Sequence, residues 1–451
     1  MRVLIITQKF PPRELGGADL ISYDLARGIK NSGHEPYVIC AENVSDPTVP
    51  DVQVRIDHEP YNDIPVWRIS FNWQENPDPY WSIYGINTAV EKAITDLLSD
   101  IQPDVVHVTS CSMITAAALT APQFMHLPLV LTLTGKWEIC PIGTLLRRDG
   151  TLCSGRQAGM TCLWCILGET KTYRGLKKLP TPVRNLIINF TSKNVYLSNI
   201  SSSLNFIHTI ERRNQVLPDI LQGVDKITSP SICHIQLFNE CGMVSKDKID
   251  YSAHGRDLDQ VGVPQSRASS DKIRFAYTGQ IVPHKGVDTL IEAFKLIPTH
   301  LPAELQIFGN PDLDSRCRHY PELARDHANI IWKGAYDHGQ VREILSNIDV
   351  VVVPSNCIEN SPGTIAEAFA TGVPVIGSDV CGVSEHIHDG IDGLLFQRRN
   401  QDDLAQKMIR ILTEPELLDH LRAGISQPRR LTESVSEFID IYNCLLATPG
   451  Q

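Results

Sequence analysis

Short apolar runs alternate with amphipathic segments in two separate stretches of this chain, and that pattern constrains its fold more than any other feature. Val3–Ile6, a Pro- and Gly-bearing stretch from Pro11 to Gly17, Leu20, Leu25 and Ile29 at near-helical spacing, and a second apolar run Tyr37–Cys40 read as strand, loop, helix and strand. Gly33 stands where a glycine closes a helix, and a helix between two buried strands makes a right-handed βαβ unit in a parallel sheet. Val105–Val108, Thr115–Leu119 and Leu129–Leu133 repeat the unit. A polar stretch from Asp257 to Asp271 precedes a fresh start, with strands Ile273–Tyr277, Leu305–Phe308, Ile330–Lys333 and Val350–Val353 separated by helices Asp288–Leu296, Tyr320–Asp326 and Gln340–Ser346. The expectation is an α/β protein with two doubly wound domains in series, binding ligand in the cleft outside the carboxyl ends of the strands. The expected boundaries are 1–257 for the first domain, with a Cys-rich insertion at about 136–168, then a linker 258–271, a second domain 272–428, and a helix within 429–451 as a candidate to return to the first domain.

Composition narrows the partners. The 451 residues carry 52 acidic and 41 basic side chains, net −11, so no nucleic acid is expected as a partner. No window of 18 apolar residues occurs, and Val3–Thr7 is too short and too far forward for a signal peptide, so a cytoplasmic protein is expected.

The densest chemistry follows Val350–Val353. A buried strand gives way to Pro354, Ser355, Asn356, Glu359, Asn360, Ser361, Pro362 and Gly363, and then to an Ala-rich helix containing Glu367. A helix N-terminus at the end of a buried strand offers free N–H groups and a positive dipole end to an anion. Gly363 lets the main chain approach a ligand, and Glu367 can accept from a neutral diol such as ribose. Taken locally, an ordinary capped helix fits equally well.

Glu359-x7-Glu367, running on through Gly372, Pro374, Ser378, Asp379, Gly382, Glu385, Asp389, Gly390 and Gly393, resembles the donor-site signature of retaining family-4-type glycosyltransferases of the GT-B fold. Gly279-Gln280-Ile281-Val282-Pro283-His284-Lys285-Gly286 resembles that family's Gly-Arg-x-x-x-x-Lys-Gly segment, and Arg13–Gly17 with Ser32–Glu35 resembles its first loop and helix end. The resemblance implies two Rossmann-like domains facing across a cleft, and transfer of a sugar from a UDP- or GDP-linked donor to a saccharide or lipid-linked acceptor. It also implies retention of anomeric configuration, no metal in catalysis, and a setting in surface polysaccharide or glycolipid synthesis. Carried over by position, Glu367 holds the ribose, Glu359 faces the donor sugar or the developing oxocarbenium, and Lys285 binds the diphosphate. Ser361, Pro362, Gly363 and Thr364 hold the distal phosphate, Gly16 and Gly17 admit the donor, and the main chain at Gly309 and near Tyr336 reads the base. Two departures stand out. Gln280 replaces the family's arginine, and Thr134-Gly135 replaces the His-Asp that relatives often carry. They keep two alternatives open, a non-catalytic nucleotide-sugar-binding subunit and a GT-B epimerase or hydrolase.

Cys140, Cys153, Cys162 and Cys165 fall within 26 residues, a spacing that fits either a structural zinc, the favoured reading, or four reduced thiols. Subsets of the family carry a similar insertion. Residues 166–216 hold Lys171, Arg174, Lys177, Lys178, Arg184, Lys193, Arg212 and Arg213 against Glu169 and Glu211, a local net of +6. That segment is either a solvated face or a peripheral contact with the inner face of a membrane. His107 is expected as a hydrogen-bonded strand-end histidine, and Asp312 and Asp314 as parts of a turn.

Overall fold

The computed structural model describes residues 1–13, 16–50, 53–167, 175, 179–183, 185–186, 198–258 and 270–447. They form two compact units, Met1–Ser229 with Ile235–Tyr251 and Phe438–Gln451, and Pro230–His234 with Ser252–Glu437. The N-terminal stretch of the first unit runs to Tyr251 where the sequence suggests 257, and the segment after it is clamped within the second unit: Arg256 N donates to Arg429 O at 2.9 Å and Leu431 N to Arg256 O at 2.8 Å. Of the expected linker 258–271, residues 259–269 lie outside the described residues.

The first unit is built on one eight-stranded sheet in the order β3-β4-β2-β1-β5-β6-β7-β8. Its strands are β1 Arg2–Thr7, β2 Glu35–Asn43, β3 Arg55–His58, β4 Val66–Ser70, β5 Val105–Val108, β6 Leu129–Thr132, β7 Lys226–Ser229 and β8 Ile249–Tyr251. Only the β3–β4 pair is antiparallel. Val3, Leu4, Ile5 and Ile6 of β1 are all fully buried, as a central parallel strand covered on both faces requires. The helix expected from Thr115 begins at Ala117 instead, since Met113 and Thr115 take positive φ values of 66° and 68°.

His107 lies on β5, fully buried, with Nδ1 2.6 Å from Tyr442 Oη of the C-terminal helix Leu431–Ala447 and Nε2 2.7 Å from Thr132 Oγ1. Burial lowers its pKa to about 3. The unfolded chain takes up this proton near pH 6.5, whereas the folded chain refuses it. The contribution to stability is thus complete above about pH 6.5 and is lost as pH falls toward 3, by up to about 1.4 kcal/mol per pH unit. Urea unfolding of wild type and His107→Gln at pH 7.5 and pH 5 should show the wild-type advantage shrinking by about 2 kcal/mol; an unchanged difference would contradict a neutral buried imidazole.

The second unit has a six-stranded parallel sheet, order β11-β10-β9-β12-β13-β14. Here β9 is Ile273–Thr278, β10 Ala303–Phe308, β11 Ile330–Gly334, β12 Val350–Val353, β13 Val375–Ser378 and β14 Gly393–Phe396. Successive residues feed opposite faces: Phe275, Val350 and Val352 pack in one apolar cluster and Ala276, Val351 and Val353 in the other. Chain order reverses at β9, which pairs with β10 on one side and β12 on the other. Ligands of open α/β sheets bind beyond the carboxyl ends of the strands at such a reversal. The helix expected over Tyr320–Asp326 is only Tyr320–Leu323, because Ala324 N turns back to Pro321 O at 3.2 Å, an i to i+3 closure.

Candidate functional site

The expected donor-site residues of the second unit gather at those strand ends. After β9 the chain passes Gly279 and Gln280 into a tight turn, Pro283–Lys285, which Gly286 joins to the helix Val287–Lys295. Gly286 has φ 71°, and a Cβ there would stand 2.0 Å from Pro354 O. Only glycine allows this turn to lie against the loop after β12, where Asn356 N donates to His284 O at 2.8 Å. That contact brings Lys285 to Glu359: Nζ donates to Oε1 at 2.7 Å, and Ser355 Oγ donates to the same oxygen at 2.7 Å. Burial alone would lower the lysine pKa, but the charge and hydrogen bond of Glu359 outweigh it and the net shift is upward. Lys285 is thus a fixed cation, already paired with a carboxylate.

Pro362, in extended conformation, precedes the helix Gly363–Ala370, and Ser361, Pro362, Gly363 and Thr364 are half-buried at its head. The first N–H groups of a helix have no partner within it, an arrangement chemically suited to an anion. One turn in, Glu367 is 7% exposed, with Oε1 3.1 Å from His338 Nε2. Burial raises the Glu367 pKa, yet the His338 hydrogen bond and the charge of Arg256 bring it below the usual value, so the carboxylate stays ionised. Tyr336 lies beside it, its phenol pushed up to about 12 by burial and then by the Glu367 charge. A Cβ on Gly309 would stand 2.3 Å from Gly279 O, so the loops after β9 and β10 touch through bare main chain. Gln280 is exposed, and its carbonyl accepts from Tyr277 Oη at 2.6 Å.

Gly16 and Gly17 belong to the first unit, at the head of the helix Gly17–Asn31, where Gly16 N donates to Asp19 Oδ2 at 2.8 Å. Thr134 Oγ1 donates to Thr109 O. Ser355, His338 and Arg256 carry no role in the sequence reading. Ser355 could have been read from its place four residues before Glu359, whereas His338 and Arg256 reach Glu367 only through the fold. Cys233 and Cys381, to which the sequence assigned no role, form a disulfide in the second unit with Cα atoms 6.0 Å apart.

Cys140, Cys153, Cys162 and Cys165 all line one cavity of about 30 Å3 in the first unit. Burial, then the neighbouring thiols, push Cys162 up to about 12. Among the described residues no three His, Cys, Asp or Glu side chains are gathered to hold a metal ion. Asp312 pairs with Arg318 at 3.2 Å and Asp314 with Arg316 at 2.6 Å around the turn Pro311–Leu313.

In the basic segment, Arg213 is not part of a surface face: it is 2% exposed and donates to the carbonyls of Tyr84, Glu138 and Trp137. Arg212 stacks on Trp81 at 3.8 Å. Lys171, Arg174, Lys177, Lys178, Arg184 and Lys193 lie outside the described residues. Among the described residues no helix is long and apolar enough to cross a membrane.

Comparison with known proteins agrees with this geometry. The profile of glycosyl transferases group 1 matches residues 263–426, and that of Glycosyltransferase Family 4 matches residues 15–156. An exopolysaccharide phosphotransferase of Streptomyces coelicolor is 34% identical over 141 residues, 31% of this chain and 15% of that protein. The lipopolysaccharide 1,2-N-acetylglucosaminetransferase of Salmonella typhimurium is 29% identical over 161 residues, 34% of this chain and 42% of that one. The chain thus spans less than half the length of these curated relatives. Among solved structures, sucrose-phosphate synthase of Thermosynechococcus elongatus superposes with a TM-score of 0.67 at 16% identity, over 99% of both chains. Anabaena HepE in complex with UDP-glucose superposes with 0.61 at 12% identity, over 98% of this chain and 100% of that one. With two parallel-sheet α/β units, the donor-site motifs gathered at one sheet reversal and both profiles matched, the chain belongs to the GT-B glycosyltransferases of the family-4 type.

Proposed function

We propose that the protein moves a sugar from a nucleoside-diphosphate sugar, UDP- or GDP-linked, to a hydroxyl of a saccharide or lipid-linked acceptor, keeping the anomeric configuration, in surface polysaccharide or glycolipid synthesis. The observation that carries this reading is the conjunction at one sheet reversal of a buried Glu367, 3.1 Å from His338 Nε2, with the head of the Gly363–Ala370 helix, which no side chain caps. A carboxylate there suits two ribose hydroxyls, and the N–H groups one turn before it suit the diphosphate. As the glycosidic bond lengthens, negative charge grows on the leaving diphosphate, and pre-oriented dipoles and Lys285 stabilise it without reorganising. Fixed positive charge of this kind can stand in for a divalent ion, so turnover should survive exhaustive chelation. The lipopolysaccharide enzyme named above and the UDP-glucose held by HepE support the acceptor class and the donor class.

The test is transfer from a panel of UDP- and GDP-sugars, with the anomeric configuration of the product read by proton NMR. Retention supports the proposal, and an inverted product refutes that part of it. The second reading, a non-catalytic binding subunit, draws on Gln280 and on the neutralising Lys285–Glu359 pair; it predicts donor binding with no product under any condition. Release of free sugar or an epimerised donor would instead mark a hydrolase or epimerase. Docking of 166–216 on a bilayer would appear as co-sedimentation with phosphatidylglycerol vesicles that is lost at high salt. The shared cavity of the four cysteines supports a structural zinc, and the alternative is four reduced thiols. Elemental analysis decides: about one zinc per chain in protein purified without chelator favours the first, and under about 0.1 the second.

A further inference from the structure

The donor site carries a cation that the sequence motifs do not include. Arg256 is 5% exposed. Its main chain is held on both sides, N to Arg429 O at 2.9 Å and O from Leu431 N at 2.8 Å, and a Cβ on the preceding Gly255 would stand 2.3 Å from Arg430 O. The residue is therefore locked in place by backbone contacts that do not involve its side chain.

The guanidinium lies over the head of the Gly363–Ala370 helix. Nη2 is 2.5 Å and Cζ 3.0 Å from the point where a Cβ on Gly363 would stand, and Glu367 Oε1 is 3.5 Å from the same point. Glycine at 363 is what leaves room for it. Among the described residues the Arg256 side chain makes no hydrogen bond and no ion pair within 4.0 Å, although its charge reaches both Glu367 and His386.

That placement is electrostatically costly unless an anion is present. A helix N-terminus already carries partial positive charge, and a buried guanidinium beside it adds a full one. Glu367 offers one negative charge and shares it with His338. Lys285 is neutralised by Glu359, and position 280 supplies no charge. What remains at the helix head is an unpaired planar fork of N–H donors, the geometry that matches phosphate oxygens.

We infer that Arg256 binds the distal phosphate of the nucleoside-diphosphate leaving group at the head of the Gly363–Ala370 helix, supplying the cation that Gln280 lacks. This rests on the donor-site reading above and adds to it the residue that recognises the second phosphate. Arg256 then distinguishes a nucleoside diphosphate from a monophosphate, whereas Glu367 serves the ribose common to both.

Isothermal titration of UDP, UMP, GDP and GMP into the full chain separates these roles. Wild type should prefer the diphosphate of the cognate base. Arg256→Gln should weaken diphosphate binding about 10- to 100-fold, the worth of one or two charge-assisted hydrogen bonds, while monophosphate affinity changes less than about threefold. Arg256→Lys, which keeps a point charge, should restore part of the loss, and an unchanged melting temperature would exclude a folding defect. Equal loss for mono- and diphosphate, or no loss for either, would overturn the assignment. Failure of wild type to bind any nucleoside diphosphate would sink the donor reading itself, and it would be seen before any variant is made.

Discussion

Lys285→Ala is expected to lower kcat about 100- to 1,000-fold, the range for removing one pre-oriented electrostatic partner of a developing anion. Two effects combine. The variant loses the ammonium fixed 2.7 Å from Glu359, and it leaves that carboxylate, 13% exposed, without its cationic partner, although Ser355 Oγ and Cys357 Sγ still donate to it. The uncompensated charge should also cost about 2 kcal/mol of stability, less than for a fully buried pair because the lysine side chain is 28% exposed. Steady-state rates at saturating donor together with urea unfolding check both parts. Lys285→Ala combined with Glu359→Gln should recover much of the stability and none of the rate. Recovery of the rate would mean that the pair is structural only.

Glu367→Ala should raise the Kd for donor about 100-fold or more, since an ionised acceptor for two ribose hydroxyls contributes about 1.5–3 kcal/mol per hydrogen bond. The carboxylate is held ionised by His338 and Arg256, so donor affinity in wild type should not weaken as pH falls from 7 to 5 on account of this group. Titration calorimetry with nucleoside mono- and diphosphates reads the effect. The loss should be of similar size for both ligands, because the ribose is common to them. Normal donor affinity in the variant would show that the ribose assignment is wrong.

Much of this arrangement could be read from the residues because it is local. The βαβ alternation places β9 and β12, and Val350–Val353 followed by Pro362 and Gly363 dictates a buried strand and then a helix head. The His107 reading also needed only its position on β5, although its partner Tyr442 is 335 residues away and could not be foreseen. What stayed hidden depends on long-range packing. Arg256 meets Gly363 across 107 positions because the main chain at 256 is clamped by Arg429 and Leu431. Cys233 and Cys381 are 148 residues apart. Arg213 sits in a basic run that a sequence reader assigns to solvent, yet three carbonyls and the face of Trp137 at 4.6 Å take it inward. The short antiparallel β3 was missed for another reason: Arg55–His58 is exposed throughout and bears no apolar alternation.

The central claim is that the helix head at Gly363, with Lys285 and Glu367, holds a nucleoside diphosphate while its sugar passes to an acceptor. Release of nucleoside diphosphate from the cognate donor, followed with and without a saccharide or lipid-linked acceptor in wild type and Glu367→Gln, tests it most directly. Acceptor-dependent release by wild type that is abolished in the variant is the predicted result; equal release by both proteins, or release indifferent to acceptor, would contradict it.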